Sequence, residues 1–257
     1  MARRRLLTEA MWAKIGPLLP EMKSGPKGGR PWRGNREVLE GILWVLRTGA
    51  AWADLPEEYP SPSTCWRRLR RWEEEGVWLE VWRSFLAQLD QKGTLEWQES
   101  FLDASFAPAK GGAMPWEPPS GARARSGWWW STARVFLWEA NLPRHRRRKS
   151  PLRKPPSTPS SRQPERVIAD KAYDSDPLRQ ALHERGRELI CPPRANRKRA
   201  KTQDGRKLRR YRRRWRIERT FAWLGNFRRL VIRYERHAFM YAAFFHLACC
   251  LILVRWL

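Results

Sequence analysis

Three acidic residues stand where their carboxylates could share divalent metal ions. Asp103 and Asp170 each end a short apolar segment, and Glu218 lies in a predicted helix. Carboxylates from separate elements can hold two cations, of which one activates an attacking oxygen and the other stabilises the leaving oxygen. The set is typical of phosphoryl transfer on a polynucleotide, with Mg²⁺ or Mn²⁺ as cofactor. Any one acid alone is more often a surface carboxylate or a partner of arginine, but the joint pattern favours a metal site.

Two further residues share a helix face with the third acid. Tyr211, Arg214 and Glu218 are spaced three and four residues apart in a predicted helix over residues 207–225. Residues at this spacing lie side by side on a helix. The face would therefore present a metal ligand beside two groups able to bind a phosphate.

Short strands are predicted to position the aspartates. Three segments have strand patterns: residues 99–106, 166–169 and 189–191. The first contains Asp103 near its end and the second leads into Asp170. Asp176 and Pro177 then indicate a helix start, because proline is favoured in the first helical turn. The pattern predicts an α/β domain with a mixed sheet over residues 93–257, with carboxylates at the strand ends.

Residues 1–92 are predicted to form a helical module. Four helices are expected, beginning near Thr8, Arg36, Ser63 and Trp78. The third presents four arginines: Arg67, Arg68, Arg70 and Arg71. This arrangement resembles a helix-turn-helix, whose second helix enters the DNA major groove. A solvated basic face is the alternative, but the net charge of +26 favours DNA contact, since Lys and Arg neutralise phosphates.

Composition also bears on the cellular compartment. The four cysteines have no metal-ligand spacing and are expected to be reduced thiols of a cytoplasmic, nucleoid-associated protein. The start of the chain lacks a signal-peptide pattern. Residues 238–257 have about the length of a membrane-spanning helix, roughly 20 residues, yet they contain His246 and Arg255. A buried closing helix is therefore preferred over a membrane anchor.

Three stretches carry a resemblance to a known family: GRPWRGNREVLEGILWVLRTGAAWADLP with the following STCWRRLRRW, FLDASFAPAKGG, and ERVIADKAYDSDPLR running on to YRRRWRIERTFAWLGNFRRLVIRYER. The chain resembles bacterial insertion-sequence transposases of the DDE type, which have an RNase H-like catalytic core. The resemblance covers residues 5–111 and 164–257. It implies that the protein cleaves DNA at the ends of the element and transfers the cut strands. The substrates would be the double-stranded DNA of the terminal repeats and of the target. The active form would be a homodimer or a higher assembly.

The resemblance also assigns roles to individual residues. It implies that Asp103, Asp170 and Glu218 are the metal-binding catalytic triad, preceded on the helix by Tyr211 and Arg214 as DNA-contacting residues. The chain departs from the family pattern at three positions. Gly225 stands where a basic residue is usual, a role that Arg228 or Arg229 could take, and Ala104 and Ala172 stand where glycine is common.

The segment between the first two acids does not fit this fold. Residues 113–163 contain eight of the 20 prolines, no Asp, no Ile and one Val, whereas central strands exclude proline and favour β-branched residues. The expectation is that these residues cannot supply the hairpin and helix of an RNase H-like core. One interpretation is a disordered basic insert. The preferred hypothesis is a pair of compensating frameshifts near codons 112 and 163, because the tryptophan codons of Trp128–Trp130 read from their third base encode valine.

Three functions remain open from the sequence. The first is an insertion-sequence transposase, either active or inactivated in this copy by the altered segment. The second is a non-enzymatic, sequence-specific DNA-binding remnant of such a protein. The third, a basic protein at a membrane surface, ranks last.

Overall fold

The computed structural model describes residues 7–21, 31–105, 107–108, 110, 127–132, 136–137, 164–197 and 205–257, with side chains left out at 104, 105, 127–132 and 136–137. The described residues fall into two compact units. One comprises those within 1–86, 107–115 and 223–257, and the other those within 87–106 and 116–222. The final helix therefore belongs to the same unit as the N-terminal helices. A domain boundary at residue 92 and a helix-turn-helix-like module stay predictions.

The α-helices of the described residues are α1 (Glu9–Ile15), α2 (Asn35–Thr48), α3 (Pro62–Glu74), α4 (Val77–Gln91), α5 (Asp176–His183), α6 (Gly205–Leu208), α7 (Trp215–Gly225), α8 (Arg228–Val231) and α9 (Ala238–Leu253). The strands are β1 (Glu99–Ser105), β2 (Gly127–Thr132), β3 (Phe136–Leu137), β4 (Arg166–Ala169) and β5 (Glu188–Ile190). Short 3₁₀ segments cover Gly16–Leu18, Trp52–Asp54, Lys171–Tyr173 and Arg209–Arg214.

Side-chain caps fix the ends of the N-terminal helices. Thr8 caps α1 by accepting a hydrogen bond from the Met11 N–H, as its position in the sequence predicts. The α3 helix begins two residues earlier than predicted, because Ser61 is the cap and Pro62 takes the first helical position. Gly49 ends α2 with a φ of 73°, a left-handed conformation that glycine adopts at low cost.

Removing the cap of α3 is expected to lower stability modestly. The Ser61 hydroxyl accepts a hydrogen bond from the Thr64 N–H at 3.4 Å, so Ser61→Ala leaves one helix-end donor without its partner. We expect a loss of about 1 kcal/mol in the free energy of unfolding, measured by urea denaturation. Arg67→Ala, exposed on the same helix, is the control and should change stability by less than about 0.5 kcal/mol. Equal losses in both variants would contradict the assignment of the cap.

The core of the first unit is built on α2, α3 and α9. The apolar face of α2 is buried through residues such as Val38, Ile42 and Leu46. Helix α9 is buried over thirteen of its residues, which is the pattern of a helix enclosed on all sides. This confirms the prediction of a buried closing helix. Among the described residues, no helix combines the length and the apolar character needed to cross a bilayer.

A buried ion pair fastens α8 to the end of α2. Arg229 and Glu235 are paired at 2.8 Å, with side chains 6% and 3% exposed. Arg229 also donates hydrogen bonds to the carbonyl oxygens of Gly49 and Ala50 at 3.1 and 2.8 Å. Burial raises the pKa of the Glu235 carboxyl, and the charge of Arg229 opposes that rise. Arg229 thus serves the packing of this unit.

The second unit contains a mixed five-stranded sheet in the order β3-β2-β1-β4-β5. Strands β1, β4 and β5 are parallel neighbours, whereas β2 pairs antiparallel with β1 and with β3. The register places Leu102 opposite Ala169. The next residues along the two strands are Asp103 and Asp170, so both aspartates lie at the same edge of the sheet. The predicted α/β class, mixed sheet and strand positions are confirmed.

The hairpin corrects an expectation from the composition. Residues 113–163 were not expected to supply strands, yet β2 pairs with β1 from Ser105↔Gly127 to Ser100↔Thr132, and β3 pairs with β2. The physical reason is local, since residues 120–142 contain no proline and tryptophan and threonine favour strands. The expected crossover helix lies outside the described residues. The frameshift stays a hypothesis about the gene.

Candidate active site

Two aspartates from neighbouring parallel strands form the centre of the site. Asp103 lies near the end of β1, and Asp170 immediately follows β4. Asp170 also caps the 3₁₀ segment Lys171–Tyr173 by accepting a hydrogen bond from the Lys171 N–H at 2.6 Å. The side chains are 16% and 32% exposed. The carboxylates are thus accessible at the sheet edge, with Asp103 held by strand pairing and Asp170 directly after a paired strand.

A single guanidinium contacts both carboxylates. Arg214 Nη2 lies 2.6 Å from Asp103 Oδ2, and Arg214 Nη1 lies 3.3 Å from Asp170 Oδ1. The Tyr211 hydroxyl donates to Asp170 Oδ1 at 3.1 Å and accepts a bond from Arg214 Nη1 at 2.8 Å. Burial lowers the pKa of Arg214, but the bond to Tyr211 and the charge of Asp103 outweigh it and raise the pKa overall. Arg214 is therefore a permanent cation between two acids.

Packing and ion pairs hold the segment that carries Tyr211 and Arg214. Residues of this segment and of α7 cover one face of the sheet in a cluster of Phe101, Ile168, Ile190 and Ile217, with Leu208, Tyr211 and Phe221 against it. Glu99 of β1, with a side chain 4% exposed, pairs with Arg210 and, at 2.8 Å, with Arg213. The site is thus positioned by a shared apolar core and a buried carboxylate.

The third predicted acid lies apart from the aspartate pair. Glu218 is exposed on α7, one turn beyond Arg214. Within the described part of the chain, no group of three His, Cys, Asp or Glu residues could hold a metal ion. The structure thus brings together Asp103, Asp170, Tyr211 and Arg214, and leaves Glu218 outside. The carboxylates of Asp103 and Asp170, which both contact Arg214, are oxygen donors of the kind that Mg²⁺ prefers. The Glu218 carboxylate does not join them.

A second cluster of charges, which the sequence reasoning missed, holds the turn after Asp170. Asp174, with a side chain 1% exposed, pairs with Arg197 at 2.8 Å and Arg179 at 3.4 Å, and accepts a bond from the Arg194 N–H at 3.0 Å. The Arg194 side chain donates to the carbonyl oxygens of Lys171 and Ala172. The turn Lys171–Tyr173 is therefore fastened to the segment after β5. The sequence feature that could have predicted this cluster is an acid, Asp174, close after Asp170, together with a basic run that begins at Arg194.

Burial by itself would raise the pKa of the Asp174 carboxyl. The hydrogen bonds from the Arg194 N–H and from Arg197 outweigh this effect, so the pKa is lowered overall. The carboxylate is charged at neutral pH and balanced by arginine. The cluster is thus an electrostatic fastening of the loop that carries Asp170.

The predicted DNA-contacting arginines divide by burial. Arg67, Arg70 and Arg71 are exposed on α3, with Arg70 and Arg71 paired to Glu74 and Glu75 at 2.8 and 2.7 Å. Arg228 is exposed on α8.

Arg68 and Arg229 depart from the prediction. Arg68 is 2% exposed, donates to Asn35 and to the carbonyl oxygen of Arg33, and stacks over Trp72. Arg229 is 5% exposed and fully engaged with Glu235 and backbone carbonyls. Both guanidinium groups serve the packing of the first unit, so neither is part of the DNA surface proposed below.

The fold and site define an α/β protein with paired carboxylates at adjacent strand ends, a class suited to metal-assisted phosphoryl transfer. Comparison with known protein families identifies two that match this chain. Residues 7–82 match the family described as "Putative transposase of IS4/5 family", and residues 151–253 match "Transposase DDE domain". The second range contains Asp170 and Glu218, whereas Asp103 lies outside both.

Relatives agree with the family matches. The "Insertion element IS402 uncharacterized 16.2 kDa protein" of Burkholderia cepacia is 39% identical over 110 residues, covering 41% of this chain and 75% of that protein. The "Putative transposase for insertion sequence element IS402" of the same species is 47% identical over 89 residues, covering 35% of this chain and 38% of that protein. "Uncharacterized protein y4sN" of Sinorhizobium fredii is 34% identical over 119 residues, covering 42% of this chain and 89% of that protein. No solved structure matches the chain.

The chain belongs to the IS4/5 family of insertion-sequence transposases of the DDE type. The predicted family is thereby confirmed, as is the RNase H-like class of the fold that the DDE domain implies. Membership makes DNA the partner, a divalent metal ion the cofactor and polynucleotidyl transfer the type of reaction.

Proposed function

We propose that this chain cleaves DNA at the ends of an insertion sequence and joins the exposed 3′-hydroxyl to target DNA, with Mg²⁺ or Mn²⁺ as cofactor. The observation that carries the proposal is the convergence of Asp103 and Asp170 on one cation, at 2.6 and 3.3 Å. The proposed catalytic acids are these two and Glu218, which the family resemblance adds. The proposed setting is the cytoplasm, in association with the nucleoid.

The chemistry needs no covalent bond to the protein. Asp103 and Asp170 would hold the divalent ion, which when bound activates the attacking oxygen and stabilises the leaving oxygen. In cleavage, a water molecule loses a proton and its oxygen bonds to phosphorus, the bond from phosphorus to the 3′ oxygen breaks, and that 3′ oxygen takes up a proton. In joining, the new 3′-hydroxyl loses its proton and attacks a target phosphodiester, whose own 3′ oxygen leaves and takes up a proton.

Exposed cations are proposed to hold the DNA. On α3 they are Arg67, Arg70 and Arg71, and on α8 Arg228. Tyr211 and Arg214 lie beside the acids and would adjoin a phosphate held there. With 52 Lys and Arg against 26 Asp and Glu, the chain suits a polyanionic partner. The terminal repeats and target are the proposed DNA, bound by a homodimer or a higher assembly.

An exposed arginine of α3 is expected to set part of the salt dependence of DNA binding. For Arg67→Gln we expect weaker binding to double-stranded DNA and a plot of log affinity against log salt that is shallower by about 0.9, since one phosphate contact is lost. Filter binding between 50 and 200 mM salt would measure it. Glu80→Gln, exposed on α4, is the control and should leave the slope unchanged. An unchanged slope for Arg67→Gln would remove α3 from the DNA surface.

The proposed function is tested by nicking of DNA that carries the element ends. Purified full-length chain is incubated with this DNA in Mg²⁺, in Mn²⁺ and in EDTA, and the 3′ ends are mapped on sequencing gels. The expected result is cleavage at the ends that requires metal. Salt-sensitive binding without any cleavage would contradict the enzymatic function and support the DNA-binding remnant.

A further inference from the structure

The position between the two aspartates, where a divalent ion is expected, is taken by a side chain of the protein itself. Arg214 contacts Asp103 Oδ2 and Asp170 Oδ1 with different nitrogens of one guanidinium. This is a bidentate bridge between two carboxylates rather than a pair with one of them. The Arg214 side chain is 16% exposed, as is the Asp103 side chain.

We propose that Arg214 is an internal counter-ion of the acid pair and that a divalent ion binds by displacing it. The inference rests on the proposed function, because it takes the aspartates as metal ligands. It adds that the metal-free site is held in a closed, charge-compensated form. Loading with metal then releases a cation that stands ready for the DNA phosphate.

Electrostatics explains why the bridge exists without metal. Two carboxylates at one edge of a sheet repel each other, and repulsion of this kind is relieved by a shared positive charge. Tyr211 supports the bridge, since its hydroxyl accepts from Arg214 Nη1 and donates to Asp170 Oδ1. Arginine suits this role because its planar fork can contact two acceptors at once, which a lysine ammonium does with less precision.

The same contacts explain why metal and arginine should exclude each other. Asp170 Oδ1 already accepts hydrogen bonds from the Lys171 N–H and the Tyr211 hydroxyl, at 2.6 and 3.1 Å, and lies 3.3 Å from Arg214 Nη1. A divalent ion would need the carboxylate oxygens, and the guanidinium charge a few ångströms away would repel it. Movement of Arg214 away from the aspartates would free the oxygens for the ion and remove the repelling charge. The cost of breaking its bonds reduces the apparent metal affinity.

The test measures Mn²⁺ binding to the full chain by electron paramagnetic resonance of the free ion, without DNA. Arg214→Gln is expected to bind Mn²⁺ about tenfold more tightly than wild type, because the competing charge is removed. Arg212→Gln, which removes the same charge from an exposed position two residues away, is the matched control and should bind as wild type does. Arg214→Lys keeps the charge but not the fork, and should fall between the two.

Thermal unfolding gives a readout that does not depend on binding signals. In EDTA, Arg214→Gln should melt several degrees below wild type, and saturating Mn²⁺ should raise its Tm by more than it raises the wild-type Tm. Equal Mn²⁺ affinity in wild type, Arg214→Gln and Arg212→Gln would overturn the counter-ion role and leave the metal site standing. No Mn²⁺ binding by any of the variants would overturn both the inference and the proposed metal site. If Arg214→Gln does not fold, Arg214→Lys carries the comparison.

Discussion

Asp170→Asn is expected to abolish metal-dependent nicking of element-end DNA, with a fall in rate of about 1,000-fold or more. The substitution keeps the shape of the side chain and its contact with the Lys171 N–H, but removes the charge that would bind the cation. Asp103→Asn should have the same effect, because Asp103 lies at the same edge of the sheet as Asp170 and its carboxylate shares the contact with Arg214. Single-turnover cleavage of labelled DNA measures the loss.

The control for this pair is Glu184→Gln, an exposed acid at the end of α5, which should cleave at the wild-type rate. DNA affinity in EDTA should not fall in any of these variants, since the acids do not bind phosphate and their neutralisation frees Arg214 to do so. Glu218→Gln should lose nicking as fully as Asp170→Asn if the third acid joins the site on DNA. Retention of cleavage within tenfold of wild type by Asp170→Asn would place the active site elsewhere.

The centre of the site could be predicted because strand order and helix spacing are local properties of the sequence. Asp103 and Asp170 follow short apolar strands, and parallel neighbours bring their ends to one edge of a sheet. The predicted helix over residues 207–225 is divided into α6, the 3₁₀ segment Arg209–Arg214 and α7. Tyr211 and Arg214, three residues apart, lie on one side of the 3₁₀ segment. What spacing could not show is that Arg214 turns toward both acids while Glu218 stays exposed, because that depends on how the helix packs on the sheet.

The burial of Arg68 shows how charge can mislead. Four arginines on one helix suggested a single basic face, although Arg68 falls on the side of Cys65, Leu69 and Trp72, which are all buried. Helical periodicity alone would have placed it there. It is tolerated because Asn35 and the Arg33 carbonyl satisfy its guanidinium, and such long-range partners are not visible in the local sequence.

The hairpin was missed for a different reason. The composition of residues 113–163 as a whole disfavours strands, because prolines on both sides outweigh a stretch between them, residues 120–142, that contains none. Strand formation depends on a window of about six residues, so an average over fifty residues was the wrong measure. The backbone pairing of β2 with β1 includes Asp103, which lies opposite Trp129.

Asp174→Asn is expected to lower the free energy of unfolding by about 2–4 kcal/mol at pH 7, because Arg179 and Arg197, with side chains 20% and 11% exposed, lose the charge of their buried carboxylate partner. Its carboxylate, 1% exposed, accepts from Arg179, Arg197 and the Arg194 N–H. Asp176→Asn is the matched control, since Asp176 also pairs with Arg197 but has a side chain 32% exposed, and it should cost less than about 1 kcal/mol. Urea denaturation at fixed pH measures both losses, and equal losses would contradict the special role of Asp174.

The same residue predicts how stability changes with acid. The pKa of Asp174 is lowered in the folded chain, so its stabilisation is fully present above the ordinary aspartate pKa of about 3.9 and is lost as the pH falls through the lower folded value. The difference in unfolding free energy between wild type and Asp174→Asn should therefore stay constant from pH 7 to about 5 and shrink below about 4. A difference that stays constant down to pH 3 would show that the carboxylate charge is not what fastens the loop. Because that loop begins at Asp170, acid that discharges Asp174 should also loosen the position of the proposed metal ligand.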